Sequence, residues 1–320
     1  MRRDSPITVA NSLRVPASRS TVLPYAMLAS AQIAVGAAAI FARFALSGAP
    51  PLAVAAWRLI IASAVLLVIA GVRGPRTLGR SSIPQRDTQQ WIFVAAGVAL
   101  AVHFASWIWS LDYTSVAVST LLVATTPIWT ALYDSAVHKR HLSPAALGAF
   151  ALGGAGLVLV VGFNQTNPPI AGHHLLGSAL ALIGAIAIGA YFVLVREVRE
   201  GHGTRAIVTR TYSWAALVLL VGSLAARQAP PAFSDAKAWG GILAMALISQ
   251  LLGHTALNAS LRWFSPSAVG MSTLLEPVTA ALLAFFIFAE KLTPLALCGG
   301  VLVLIAIGVF LREERAIPQA

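Results

Sequence analysis

Runs of about twenty apolar residues recur along the chain, separated by short stretches that hold nearly all the charge. A bilayer core of about 30 Å takes about 20 helical residues at about 1.5 Å each. Ten runs meet that length: 22–46, 51–72, 90–110, 113–137, 143–163, 174–196, 206–226, 237–259, 265–288 and 293–311. They are continuously apolar rather than alternating, which disfavours strands, and a helix satisfies its own backbone in lipid. Gly48, Pro50 and Pro51 part the first run from the second. Asn164, Asn167, Pro168 and Pro169 part the fifth from the sixth, and Pro230 and Pro231 the seventh from the eighth. The weakest boundary is 111–114, where only Asp112 and its neighbours break the apolar character. Small residues such as Gly153, Gly154 and Gly156 permit close helix packing. The pattern predicts an all-α integral membrane protein with ten transmembrane helices.

Composition sharpens this reading. Of 320 residues, 58% are hydrophobic and 10% charged, against about 45–50% and about 25% in soluble domains. So few charges cannot solubilise so much apolar surface, and disorder, collagen-like repeats and a disulfide scaffold are excluded by the same figures. The net charge of +11 is a matter of placement. With the N-terminus in the cytoplasm, sixteen Lys and Arg fall in the tails and loops on that side, and three (Arg227, Lys237 and Lys291) on the other. Both termini are therefore expected in the cytoplasm, and the charge reads as topology with no nucleic-acid partner. Residues 1–20 carry Arg2, Arg3, Arg14 and Arg19 without a hydrophobic signal-peptide core, so the first run is expected to stay uncleaved. The single cysteine, Cys298, lies in an apolar run, which excludes an intramolecular disulfide and a cysteine metal site and predicts a small buried hydrophobe.

The chain also resembles itself. Shifted by 150 residues, positions 110–147 match ten times in 38 without a gap, including Ser110 on Ser260, Ser115 on Ser265, Pro127 on Pro277 and Pro144 on Pro294. A shift of 152 places Arg58 on Arg210, and one of 153 places Gly36 on Gly189 and Arg43 on Arg196. Each half holds five spans, an odd number, so equivalent helices cross in opposite directions. Such inverted repeats recur in secondary transporters, with a site at the midplane between the halves. The expected division is a tail at 1–21, one five-helix repeat at 22–165, a second at 166–311 and a tail at 312–320.

The stretch Leu274-Leu275-Glu276-Pro277-Val278, then Ala280-Ala281-Leu282-Leu283, then Ala289-Glu290-Lys291-Leu292-Thr293-Pro294 resembles the closing signature of the EamA family of the drug/metabolite transporter superfamily. Its counterpart in the first half runs from Ser110-Leu111 through Thr126-Pro127 to Leu142-Ser143-Pro144, and Arg58 in the second span also fits. The resemblance covers residues 22–311. It implies ten helices in two inverted halves, cytoplasmic termini, a bacterial inner membrane, and export or exchange of small metabolites. One departure is plain: Arg140 stands where the family carries an acid before Leu142, whereas Glu290 keeps it in the second half.

Sorting the acids by depth leaves Glu276 alone near a midplane, with Asp112, Asp134 and Glu290 at span ends. An ionised acid at the midplane costs about 2.5–3.5 kcal/mol, so Glu276 is expected to face a wet cavity and to suit proton coupling, with a structural carboxyl as the competing reading. Pro277 and Pro127 are matched hinge candidates that would free the carbonyls of Thr273 and Val123, although simple packing kinks explain them comparably. The candidate substrate-binding residues are Gln32, Arg58, His103, Trp107, Tyr191, Arg210, His254 and Asn258. Each polar member has a bland alternative as interhelical glue or a snorkelling cation. The histidines His173-His174 and the run His138-Lys139-Arg140-His141 read as interfacial charge, since nothing completes a metal-ligand set. No cofactor or metal is expected.

No nucleophile elbow or P-loop is present, so neither hydrolysis nor ATP use is expected of this chain. The sequence reading is a secondary transporter exporting an amino acid or related compound by alternating access, with proton coupling as its finer form. Its expected partners are a small-molecule solute and the bilayer, as monomer or homodimer. An exchanger of anionic sugar-nucleotides or phosphorylated metabolites is the alternative, and an integral membrane enzyme acting on lipid-linked substrates a more distant one.

Overall fold

The computed structural model describes residues 22–73, 87–114, 116–139, 142–162, 174–199, 201–289 and 293–316. The expectations for the basic tail, for Arg140 and His141, for His173 and for Glu290 and Lys291 lie outside them. Among the described residues the chain is all-α, and ten apolar segments follow one another where the hydropathy places them. They are α1 (Val22–Ala45), α2 (Pro51–Arg73), α3 (Asp87–Ser110) and α4, in two pieces (Val116–Val123 and Thr126–His138). Then come α5 (Pro144–Gly162), α6 (His174–Glu197) and α7 (Thr204–Ala225). Last are α8 (Ala236–Ser260), α9, again in two pieces (Pro266–Ser272 and Leu275–Phe288), and α10 (Pro294–Ala316).

Three spans are less regular than hydropathy alone implies. A turn at Ala37 interrupts α1, and α4 and α9 break at Ala124–Thr125 and Thr273–Leu274, just ahead of Pro127 and Pro277. The proline ring cannot donate to the preceding turn, and both breaks follow from that. The boundary at 111–114 is a real turn.

The two halves are built alike down to their caps. Ser143 and Thr293 stand 150 residues apart, each followed by proline, and their hydroxyls accept from Ala146 N and Ala296 N, both at 3.1 Å. A hydroxyl cap followed by proline at the first helical position satisfies the exposed N–H groups of α5 and α10. At the other end of the preceding spans, Lys139 and Ala289 close α4 and α9 in the left-handed conformation, each with φ of 54°.

Each helix that packs on its own repeat counterpart does so antiparallel. In the α4–α9 pair Thr130 abuts Gly270, and further along α4 Asp134 accepts from Ser267 of the earlier turn of α9 at 3.4 Å. In the α5–α10 pair Gly156 lies against Gly299 and Val303, while the earlier Phe150 stacks on the later Phe310 at 5.3 Å. The start of α2 meets the chain leaving α7, where Leu52 N donates to Gln228 Oε1 at 2.8 Å. The off-axis contacts come in matched pairs, α3 with α6 and α8 with α1. Opposed counterparts and paired off-axis contacts make this an inverted repeat of five helices each.

Glycines set the closest approaches. Gly36 of α1 leaves no room for a Cβ beside Thr279 of α9, which would lie 2.6 Å away. Its repeat mate Gly189 of α6 faces Trp129 of α4, the residue equivalent to Thr279, where a Cβ would lie 3.0 Å away, still a tight contact. At one end of the bundle Arg196 donates to the carbonyl of Leu261. Beside it, burial and the like charges of Arg262 and Arg196 push the Arg199 guanidinium down to about 10. Arg196, Arg199 and Arg262 therefore gather at one end of the molecule.

Two placements correct the sequence reading. Cys298 is exposed on the outer side of α10 rather than buried, because a helix at the rim of a membrane bundle needs no protein cover over its apolar face. Asp134, expected at a span end within reach of water or headgroups, is 5% exposed. It sits on the face of α4 that packs against α9, where Ser267 donates to it.

Candidate functional site

A chamber lies between the halves, lined by α1, α2, α3 and α4 from the first and α6, α8 and α9 from the second. The pair α5 and α10 packs on itself at one side and contributes no lining. Most of the wall is apolar, but Arg58, His103, His254 and Glu276 meet there with Trp107, Thr120 and Thr126. Measured as the space open to the centre of a water molecule, the chamber holds about 30 Å³. That is room for one or two waters, well short of the roughly 300–1,000 Å³ of a site filled by a small organic ligand. A ligand of that size would fit only with the walls apart. A larger hollow of about 350 Å³ beside the break in α4 is apolar, bounded by Leu121, Ile128, Phe150 and Leu157, and carries no chemistry.

The ring of Phe104 organises the polar groups. The Arg58 guanidinium lies over one face at 3.9 Å from the ring centroid. His254 meets Phe104 edge-on with centroids 5.2 Å apart, and His103 leans against it at 4.8 Å. Trp107, one helical turn from His103, lies parallel to its imidazole at 6.3 Å. His103 Nδ1 is tied to the carbonyl of Gly184 on α6 at 2.9 Å. Glu276 of α9 is half-buried, facing the same space and within electrostatic reach of Arg58. The two histidines are nearly repeat-related, 151 residues apart, with rings 6.4 Å from one another.

The carbonyls behind the prolines are not left open. Thr273 O accepts from Glu276 N at 2.9 Å, and Val123 O accepts from the Thr126 hydroxyl at 2.6 Å. The chain that loses one helical bond at each proline recovers another within three residues, which satisfies the buried oxygen without a bound ion.

The remaining sequence candidates stand behind the wall or away from it. Gln32 is fully buried and donates to Ser272 Oγ at 2.6 Å, tying α1 to α9. Tyr191 donates to Asn258 Oδ1 at 2.9 Å, and Asn258 donates to the His254 carbonyl at 2.7 Å, tying α6 to α8. Arg210 is half-buried, over Phe93 at 4.7 Å, and is not among the lining residues. Pro127 and Pro277 each flank a helix break beside the chamber.

Three features escaped the sequence reading. Phe104 and Phe192 line the chamber but look like any aromatic in an apolar run. The stretch Met245–His254 of α8 is a π-helix, whose wider turns give Gln250 O the N–H of Thr255 and the hydroxyls of Thr255 and Tyr212 at 3.3 and 3.5 Å. Its counterpart α3 is a regular α-helix. No local motif announces the change of winding.

Comparison with known proteins places this geometry. The model of the EamA-like transporter family matches residues 22–162 and again 175–312. The chain is similar to "Uncharacterized transporter YyaM" of Bacillus subtilis, at 26% identity over 88% of this chain and 92% of that protein. It is also similar to the "Probable terminal-alkyne amino-acid exporter" of Streptantibioticus cattleyicolor, at 23% identity over 82% of this chain and 84% of that protein. A solved crystal structure shares the fold with a TM-score of 0.74 at 16% identity, covering 93% of this chain and 99% of that one.

Proposed function

The chain belongs to the EamA-like transporter family, and from that premise we propose that it is a secondary carrier exporting a small metabolite, an amino acid or related compound, across the inner membrane with both termini cytoplasmic. One observation carries the reading. A single chamber, walled by both inverted halves, holds the polar groups that α2, α3, α8 and α9 bring to mid-bundle. Two halves of one design inserted oppositely can exchange conformations, each adopting the arrangement the other leaves, which is the requirement of alternating access. The breaks ahead of Pro127 and Pro277 lie beside the chamber in both halves and supply matched places to bend. Similarity to an amino-acid exporter supports the substrate class.

Glu276 supplies the proton-responsive group of this carrier. It is the chamber's carboxyl among the described residues, and its backbone N–H closes the turn at the α9 break. A change in its charge therefore acts at the hinge itself. The test is counterflow in proteoliposomes with a panel of amino acids, nucleosides and sugar-nucleotides, at several pH values. Uptake of labelled amino acid is expected, accelerated by a pH gradient in the wild type and indifferent to it in Glu276→Gln. Transport of the panel's sugar-nucleotides alone would displace the amino-acid reading. PH-independent transport unchanged in the variant would remove the proton role.

A further inference from the structure

Arg58 is the largest fully buried side chain described, and it lines the chamber. One face of its guanidinium is covered by the Phe104 ring at 3.9 Å. Its Nε, Nη1 and Nη2 have no hydrogen-bond partner among the described residues. A guanidinium presents five N–H donors in a planar fork, and burial of such a group without acceptors is costly. The stacking contact uses the ring face of the cation and leaves that fork free in the plane, where it matches the two oxygens of a carboxylate.

We propose that Arg58 is the anchor for the carboxylate of the transported solute, so that the chamber takes a compound with one carboxylate and no second negative charge. This rests on the carrier reading and names its substrate class. Three observations argue for a single charge. Among the described residues, Arg58 is the only Arg or Lys lining the chamber. Glu276 faces the same space and opposes a second anion. The lining hydroxyls of Thr120 and Thr126 are already given to the carbonyls of Val116 and Val123, at 2.8 and 2.6 Å, so they add little for a phosphate. A zwitterion suits both charges, its carboxylate toward Arg58 and its cationic end toward Glu276. His254, whose Nδ1 also lacks a partner, stands beside the same Phe104 ring as a second polar contact for the solute.

The test is thermal unfolding of the purified full-length protein with the standard L-amino acids, each beside its carboxamide, and with inorganic phosphate. At least one amino acid should raise the unfolding temperature while its carboxamide does not. Arg58→Gln should weaken that response by at least about tenfold. Arg58→Lys, which keeps the charge without the fork, should retain part of it and covers the case in which the Gln variant does not fold. A carboxamide that stabilises as well as its acid, a wild-type response in Arg58→Gln, or a stronger response to phosphate than to any amino acid would each overturn the assignment. Counterflow separates the two levels of the argument. Wild-type protein that carries the carboxamide as fast as the acid sinks the Arg58 anchor and leaves the carrier standing, whereas no counterflow of any panel solute sinks both.

Discussion

The two halves share a scaffold and divide the chemistry. Ser143 and Thr293 cap equivalent helices, Lys139 and Ala289 end equivalent helices in the same left-handed turn, and Gly36 and Gly189 admit equivalent close approaches. The chamber does not inherit that symmetry. Arg58 on α2 is fully buried in the wall, but its mate Arg210 on α7 lies half-buried over Phe93. Glu276 on α9 is answered on α4 by Thr126, a neutral residue whose hydroxyl is already bonded. α8 winds as a π-helix through His254, but α3 carries His103 on a regular helix. Duplication supplied a pair of opposed frames. Divergence at a few wall positions then gave the shared space, among the described residues, one arginine and one acid.

The comparison is broken most directly at the arginines. Arg58→Gln is expected to lower amino-acid counterflow by at least about tenfold, and Arg210→Gln to leave it within about twofold. Equal losses would mean that the wall is functionally symmetric after all.

A smaller, structural effect separates the glycines. Gly36→Ala places a Cβ 2.6 Å from Thr279, and overpacking of that kind costs about 1–3 kcal/mol. Replacing glycine inside a helix also returns about 1 kcal/mol. At Gly36 the crowding wins and the variant should unfold at lower temperature. At Gly189, where the nearest atom would be 3.0 Å away, the two effects nearly cancel. Thermal unfolding of both variants in detergent checks the difference, and a stabilised Gly36→Ala would show that α1 and α9 can separate freely.

The smallest effect should be equal in the two halves. Lys139→Gly and Ala289→Gly each relieve a side chain held at positive φ, worth about 1 kcal/mol. Matched rises in unfolding temperature are expected. A rise at only one position would mean that the shared scaffold is less symmetric than its caps imply.

Much of this was legible in the residues themselves. Ten spans and the opposed duplication follow from counting apolar runs and prolines, and Arg58 and Glu276, each singled out by its depth along a span, both line the chamber. Asp134 was misplaced because depth along a helix was readable and its facing was not. Cys298 was misplaced for the same reason, since an apolar rim position looks like a core one. The spare carbonyls ahead of the prolines could not be traced to their new donors, because those bonds depend on local turns that many sequences with proline also lack.

What the sequence by itself determined is the number of crossings and the opposed duplication, because lipid imposes one length and one polarity on every span regardless of its neighbours. The tertiary structure alone decided which of two equivalent residues looks into the chamber and which helix unwinds beside it. Spans that are apolar on nearly every side carry no stripe to mark an inner face, so that choice is made by the packing of small residues such as Gly36, Gly189 and Gly270 against particular neighbours.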